Sequence, residues 1–215
     1  MLLLGLTGSI AMGKSHAARI FRAFGVPVFD ADAAVHALMA VGGAAVAPVL
    51  EAFPGATAPA GGIDRGGLGR LVFGDAPARA RLEAIVHPLV RAAEQAFLAR
   101  CCRQGAALVV LDIPLLYETG GEARVDRVAV VSASPALQAE RALRRPGMTP
   151  TRLQAIRASQ LADTVKRRRA DFVIRSGSDR GATVRQIAGV LEALAGERGR
   201  VWPVRWQLRG RAGRA

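Results

Sequence analysis

Lysine is nearly absent from this chain. Of 30 basic residues only Lys14 and Lys166 are lysine; the rest are arginine. Cysteine is equally scarce, with Cys101 and Cys102 side by side and no third thiol. Neighbours on a helix do not face each other, and two thiols make no disulfide framework, so they read as reduced cysteines in a reducing compartment. Aromatic residues fill 5% of 215 positions against 51% hydrophobic, which leaves a core of Ala, Val, Leu and Ile. No apolar run approaches the ~18 residues of a membrane span. The short apolar start has no positive charge before its run, so no signal peptide is expected and the reading is a cytoplasmic chain with no membrane partner. Acid is short as well, at 17 residues against 30 basic, for a net charge of +13. That excess is local. Residues 141–169 hold nine basic groups and the single acid Asp163, and residues 196–215 hold six arginines and Glu197. The remainder is neutral overall, which argues against a nucleic-acid partner gripping the whole fold. The Gly- and Arg-rich tail 196–215 reads as a solvated extension, with Trp202 and Trp206 packing back on the body.

What the chain does have begins at once. Residues 8–15 read Gly-Ser-Ile-Ala-Met-Gly-Lys-Ser, directly behind the apolar run Leu2-Leu3-Leu4-Gly5-Leu6. This is the spacing G-x-x-x-x-G-K-S. A buried strand that breaks into such a loop, with a helix opening at its end, is a cradle for a nucleotide's phosphates. Gly8 and Gly13 allow the tight turn and the close approach. Lys14 places a compact charge on the β- and γ-phosphates, and its rarity here argues that a planar arginine fork would not serve. Ser15 offers a hydroxyl to Mg2+. Ala11, Met12 and His16 complete the expected contacts to ATP.

The rest of the chain alternates strand and helix. Strands are predicted at 2–6, 26–29, 107–112, 127–131 and 171–174, each apolar enough to be buried on both faces. That alternation predicts an α/β fold, a parallel sheet of about five strands between layers of helices, and the glycine loop after the first strand makes the expected type that of the P-loop NTPases. A single domain spans 1–195, with its core at 1–32, 105–134 and 170–195. Helices are predicted at 33–53, 65–74, 76–86 and 88–104, so a helical insertion at about 33–104 separates strands two and three, and Pro54–Gly62 reads as a loop. The arginine-rich segment at about 135–169 is placed to close over the phosphates as a lid.

Ligands of open parallel sheets bind beyond the carboxyl ends of the strands. Asp30 and Asp32 follow strand two. If the strand continues they share a face; if a helix starts there, one of them is its N-cap. Asp32 is the candidate to take the proton of an acceptor hydroxyl, with Asp30 beside it in the substrate site. Asp112 ends strand three and is the second candidate ligand for Mg2+, and Glu118 could line the acceptor site. Arg141 and Arg145, four apart, are candidates to stabilise the transferring phosphoryl group. His87, before Pro88, reads as a turn residue that either contacts the acceptor or caps the turn. His36 reads as a surface or packing residue.

Taken in order, these motifs resemble the dephospho-coenzyme A kinases. The resemblance covers about residues 2–192 and rests on Gly5–Ile10 with Gly13-Lys14-Ser15, Asp30-Ala31-Asp32, His87-Pro88, Asp112–Glu118, Arg141, Gln160 and Ala170–Ile174. It implies ATP-dependent phosphorylation of the ribose 3′-hydroxyl of dephospho-CoA, with Asp32 at that hydroxyl, Leu116 among the substrate contacts, the helical insertion around the CoA moiety and segment 135–169 as lid. A monomer or weak homo-oligomer is expected. The alternatives are another small-metabolite or nucleotide kinase, and an RNA-associated nucleotide-binding protein suggested by the tail. Three positions depart from the family pattern: Ala11 stands where glycine is usual, His16 where threonine is usual, and Arg175-Ser176 where an Asp-Asn pair is frequent.

Overall fold

The computed structural model describes residues 1–59, 61–177 and 179–203. Along the chain run β1 (Leu2–Thr7), α1 (Lys14–Ala23), β2 (Val28–Asp30), α2 (Ala31–Met39), α3 (Val46–Ala52), α4 (Arg65–Val72) and α5 (Ala76–Arg103). Then follow β3 (Leu108–Asp112), β4 (Arg127–Ser132), α6 (Pro135–Leu143), α7 (Pro150–Ala158), α8 (Asp163–Arg169), β5 (Phe172–Arg175) and α9 (Arg180–Leu194). The five strands form one parallel sheet in the order β2-β3-β1-β4-β5. The chain divides into two compact units, residues 1–29 with 101 onward, and residues 30–100.

In the first unit β1 is the central strand. It pairs in parallel with β3, Leu4 opposite Val110, and with β4, Leu6 opposite Ala129. All six β1 residues are buried, as a strand covered on both faces must be. Leu2, Leu4 and Leu6 share one face by the two-residue period and pack with Phe21 of α1 and Ile187 and Val190 of α9. The tail reads from sequence as a solvated extension with its tryptophans packed on the body, and its first part docks. The Asp126 carboxylate accepts from the backbone N–H groups of Leu3 (2.8 Å), Arg200 (2.6 Å) and Val201 (3.0 Å), and Val201 is buried. Trp202 is half-buried; Trp206 and the rest of 204–215 lie outside the described residues.

The second unit is helical, with Met39, Val49, Phe53, Leu68 and Val86 in its core. Two expectations change here. The predicted helix 33–53 is α2 and α3, separated at Gly42, whose φ is +77°. The predicted break at His87-Pro88 is absent, and α5 runs through Pro88. Pro88 costs α5 one backbone hydrogen bond. Leu82, Ile85, Val86, Leu89 and Val90 on either side pack into the same core, and that packing holds the helix through the defect. Residues 54–62 begin with a 3-10 turn at Pro54–Ala56, and Thr57 bridges to Ile63.

Candidate active site

The loop between β1 and α1 is shaped by close backbone contacts. A Cβ on Gly8 would lie 2.6 Å from the Val131 carbonyl oxygen, so only glycine lets the chain pass β4 there. Gly13 takes φ +90° as it opens α1, and no side chain caps that helix end. The positive end of α1 is therefore presented to an anion. Lys14 and the exposed Ser15 form its first turn. Ala11 adopts φ +59°, the only non-glycine in the left-handed region among the described residues. An L side chain there costs about 1–2 kcal/mol. Its methyl is not idle: it is 7% exposed and packs with Ala142 of α6 and Leu153 of α7.

Lys14 does not lie loose in the loop. Its Nζ is 2.5 Å from Oδ1 of Asp112, at the end of β3, and that carboxylate is 1% exposed. The lysine and the acid expected at Mg2+ thus compensate each other's charge. A hydroxyl on Ser15 and a carboxylate on Asp112 are hard oxygen donors of the type Mg2+ takes alongside nucleotide phosphates. No cluster of three or more His, Cys, Asp or Glu suited to a metal occurs among the described residues.

Beside the start of α1 lies a cleft of about 510 Å³ lined by Gly13, His16, Arg19, Leu137, Glu140, Arg141, Arg144, Ser176, Gly177 and Thr183. Arg141 is fixed within it, donating to Ser176 Oγ at 2.9 Å and to the Gly177 carbonyl at 3.0 Å. Ser176 Oγ in turn donates to the Met12 carbonyl at 2.5 Å. The serine expected to depart from the family pattern thus ties Arg141 to the phosphate loop. Arg145 is exposed and takes no part in the lining; Arg144 lines the cleft instead and pairs with Glu140 at 2.7 Å. The reason is the length of α6. It ends at Leu143, so the four-residue repeat from Arg141 falls off the helix before Arg145.

Two expected substrate contacts are turned inward. Leu116 is fully buried, and its Cδ2 lies 2.8 Å from where a Cβ on Gly5 would stand. The turn after Pro114 aims Leu116 under β1 and leaves Leu115 40% exposed. Glu118 accepts at Oε1 from the Leu161 N–H at 2.9 Å and faces Nζ of Lys166 at 2.7 Å. Lys166 has no exposed surface. Burial pushes the Glu118 carboxyl up, but the adjacent Lys166 ammonium and the Leu161 N–H outweigh it and hold the group below the ordinary glutamate value. Nearby, burial pushes the Tyr117 hydroxyl up to about 12, while the Arg169 guanidinium lies 4.4 Å over its ring.

In the second unit a helix does start directly after β2. Asp30 is its N-cap, accepting from Ala33 N at 2.9 Å, and Asp32 is exposed in the first turn. The two carboxylates therefore have different work and do not share a strand face. His87 is exposed on the helical surface of α5 rather than in a turn. His36 is exposed beside Arg65.

Sequence reasoning left Arg144, Ser176, Gln138 and Lys166 without a role. For Lys166 a signal existed, since it is the second of two lysines. For Gln138 there was none, because a glutamine's partners are visible only in three dimensions.

Comparison with known proteins fits this geometry. The family model for dephospho-CoA kinase matches residues 2–180. A dephospho-CoA kinase of Rhodospirillum rubrum is 59% identical over 82% of this chain and 83% of its own length. One of Mesorhizobium japonicum is 52% identical over 93% of this chain and 100% of its own. The crystal structure of a Thermus thermophilus protein superposes with a TM-score of 0.79 at 31% identity, covering 89% of this chain and 96% of the other. The chain belongs to the dephospho-CoA kinase family.

Proposed function

We propose that the protein transfers the γ-phosphoryl group of ATP to the ribose 3′-hydroxyl of dephospho-CoA, giving coenzyme A and ADP. The observation that carries this reading is the identity of 52% across the entire length of a curated dephospho-CoA kinase, with the glycine loop and its lysine intact. Lys14 exchanges its contact with Asp112 for the β- and γ-phosphates, moving little because a compact ammonium needs only one close acceptor at a time. Ser15 and Asp112 would hold Mg2+, which, bound with the nucleotide, would neutralise charge on the phosphates. Arg141, aimed by Ser176 and Gly177, faces charge that develops on the transferring group. The base and ribose of ATP occupy the cleft beside His16 and Arg141.

On the acceptor side, Asp32 accepts the proton of the 3′-hydroxyl as its oxygen attacks phosphorus, while Asp30 fixes the start of α2. The proton leaves on the Asp32 carboxylate, and the bond to the β-phosphate oxygen breaks with its electrons on ADP. The second unit holds the CoA moiety, and segment 135–169 closes over the phosphates. Two reduced cysteines, Cys101 and Cys102, suit a reducing cytoplasm. Incubation with ATP and dephospho-CoA, followed by mass analysis of the nucleotide products, tests the reading. Coenzyme A is the expected product. Phosphorylation of another small alcohol with no coenzyme A formed would overturn it.

A further inference from the structure

The phosphate loop is held from outside at one residue. The Ile10 N–H donates to Gln160 Oε1 at 3.0 Å, and the Ile10 carbonyl accepts from Gln138 Nε2 at 2.9 Å. Gln138 is 4% exposed and is itself oriented: Arg157 Nε donates to its Oε1 at 2.9 Å. The turn that carries Gln160 is pinned one residue later, where Leu161 N donates to Glu118 Oε1 at 2.9 Å. Gln138 lies on α6, Arg157 on α7 and Gln160 between α7 and α8. Three parts of the arginine-rich segment thus converge on the backbone of Ile10, next to the strained Ala11.

We infer that Gln138 and Gln160 are positioning residues for phosphate binding. They hold the backbone N–H and carbonyl of Ile10, one on each of the two peptide groups that flank its Cα, and Arg157 sets the amide of Gln138 so that its NH2 faces the loop. A left-handed alanine relaxes unless its neighbours fix it, and the Ile10 peptide is the neighbour on its N-terminal side. The clamp also means that the base of segment 135–169 is fastened to the loop. The part of that segment free to move over a nucleotide is therefore the part beyond these bonds. The inference rests on the proposed function only in taking the loop as the site of the ATP phosphates.

The two glutamines differ in a way that makes the idea testable. Gln160 acts only as an acceptor, so Gln160→Glu keeps its bond. Gln138 must donate to Ile10 and accept from Arg157, so Gln138→Glu turns a carboxylate toward a carbonyl. Both variants add one carboxylate beside the Ile10 backbone, that at 138 paired with Arg157, and only Gln138→Glu loses a donor to the loop. Calorimetric titration with ADP and with adenosine separates phosphate binding from base binding. Gln138→Glu is expected to weaken ADP by about tenfold more than Gln160→Glu, the effect of one hydrogen bond exchanged for repulsion, with adenosine affinity unchanged in both. The KM for ATP should rise in parallel while the KM for dephospho-CoA stays put. Arg157 is exposed, so Arg157→Ala folds even where a Gln138 variant does not; it should weaken ADP about threefold to tenfold and leave adenosine alone. Equal losses in the two glutamate variants, or parallel losses of ADP and adenosine, would overturn the positioning role. Wild-type protein that binds ADP no better than adenosine would instead overturn the reading of the loop.

Discussion

Replacing Lys166 with methionine removes a cation that has no exposed surface and leaves its partner behind. Glu118 is then a carboxylate only 16% exposed, with Leu161 N–H on Oε1 and no hydrogen-bond partner on the buried Oε2. Removing one member of a buried ion pair costs about 3–5 kcal/mol, because the remaining charge stays desolvated and unpaired. The lower end applies here, since Glu118 keeps some solvent and one backbone donor. For a chain of this length a loss of about 3 kcal/mol lowers Tm by roughly 6–12 °C. Adding Glu118→Leu to Lys166→Met removes the stranded charge. Most of the loss should return, leaving about 1 kcal/mol for the Leu161 N–H without its acceptor. The pH dependence has a definite sign. Glu118 titrates below its ordinary value of 4.5 in the folded protein, so its contribution is complete above about pH 4.5 and is lost as pH falls through the lower folded value. The gap between wild type and Lys166→Met should accordingly be widest near neutrality and shrink in acid. Urea denaturation of the wild type and both variants at neutral and acidic pH measures each quantity, provided the slopes match. A Lys166→Met protein within about 1 kcal/mol of wild type at neutral pH would refute the argument.

Ala11→Gly relieves about 1–2 kcal/mol of left-handed strain, but loses about 0.8 kcal/mol of methyl burial and up to about 1 kcal/mol through a more flexible unfolded chain. These offset, so thermal melts should shift by less than about 4 °C, and a larger change in either direction would show that one of the three effects dominates. Asp126→Ala leaves the N–H groups of Leu3, Arg200 and Val201 without their acceptor. A loss of about 2–3 kcal/mol is expected in urea, together with faster proteolysis after residue 196; unchanged protease resistance would mean the terminal segment is held by other contacts. Asp32→Asn should lower turnover by roughly 10²-fold or more without moving the KM for ATP, and near-normal turnover would remove Asp32 from the proton-accepting role.

The sheet and the loop were legible because their signals are local. Five short apolar runs and one glycine spacing need no partner to be read, and the strands fall within a residue or two of expectation. What the sequence left ambiguous needed tertiary partners. Pro88 signals a break on its own, yet the apolar residues around it hold α5 together. Leu115 and Leu116 are the same residue type, and only the turn after Pro114 decides which is buried. Arg141 and Arg145 repeat at helical spacing, but the spacing outlasts the helix.

The scarce lysines were the best guide, and they were read only halfway. Scarcity singled out Lys14 because an arginine fork would crowd an anion loop. The same reasoning holds for Lys166 without any phosphate. At both lysines the ammonium meets one carboxylate oxygen at 2.5–2.7 Å, with little or no exposed surface. A guanidinium carries five donors and would strand several of them at either place. In a chain that uses arginine nearly everywhere else, lysine stands where a buried carboxylate offers a single point of contact. The two positions share that requirement, although the loop places one at the phosphates and the fold keeps the other in its interior.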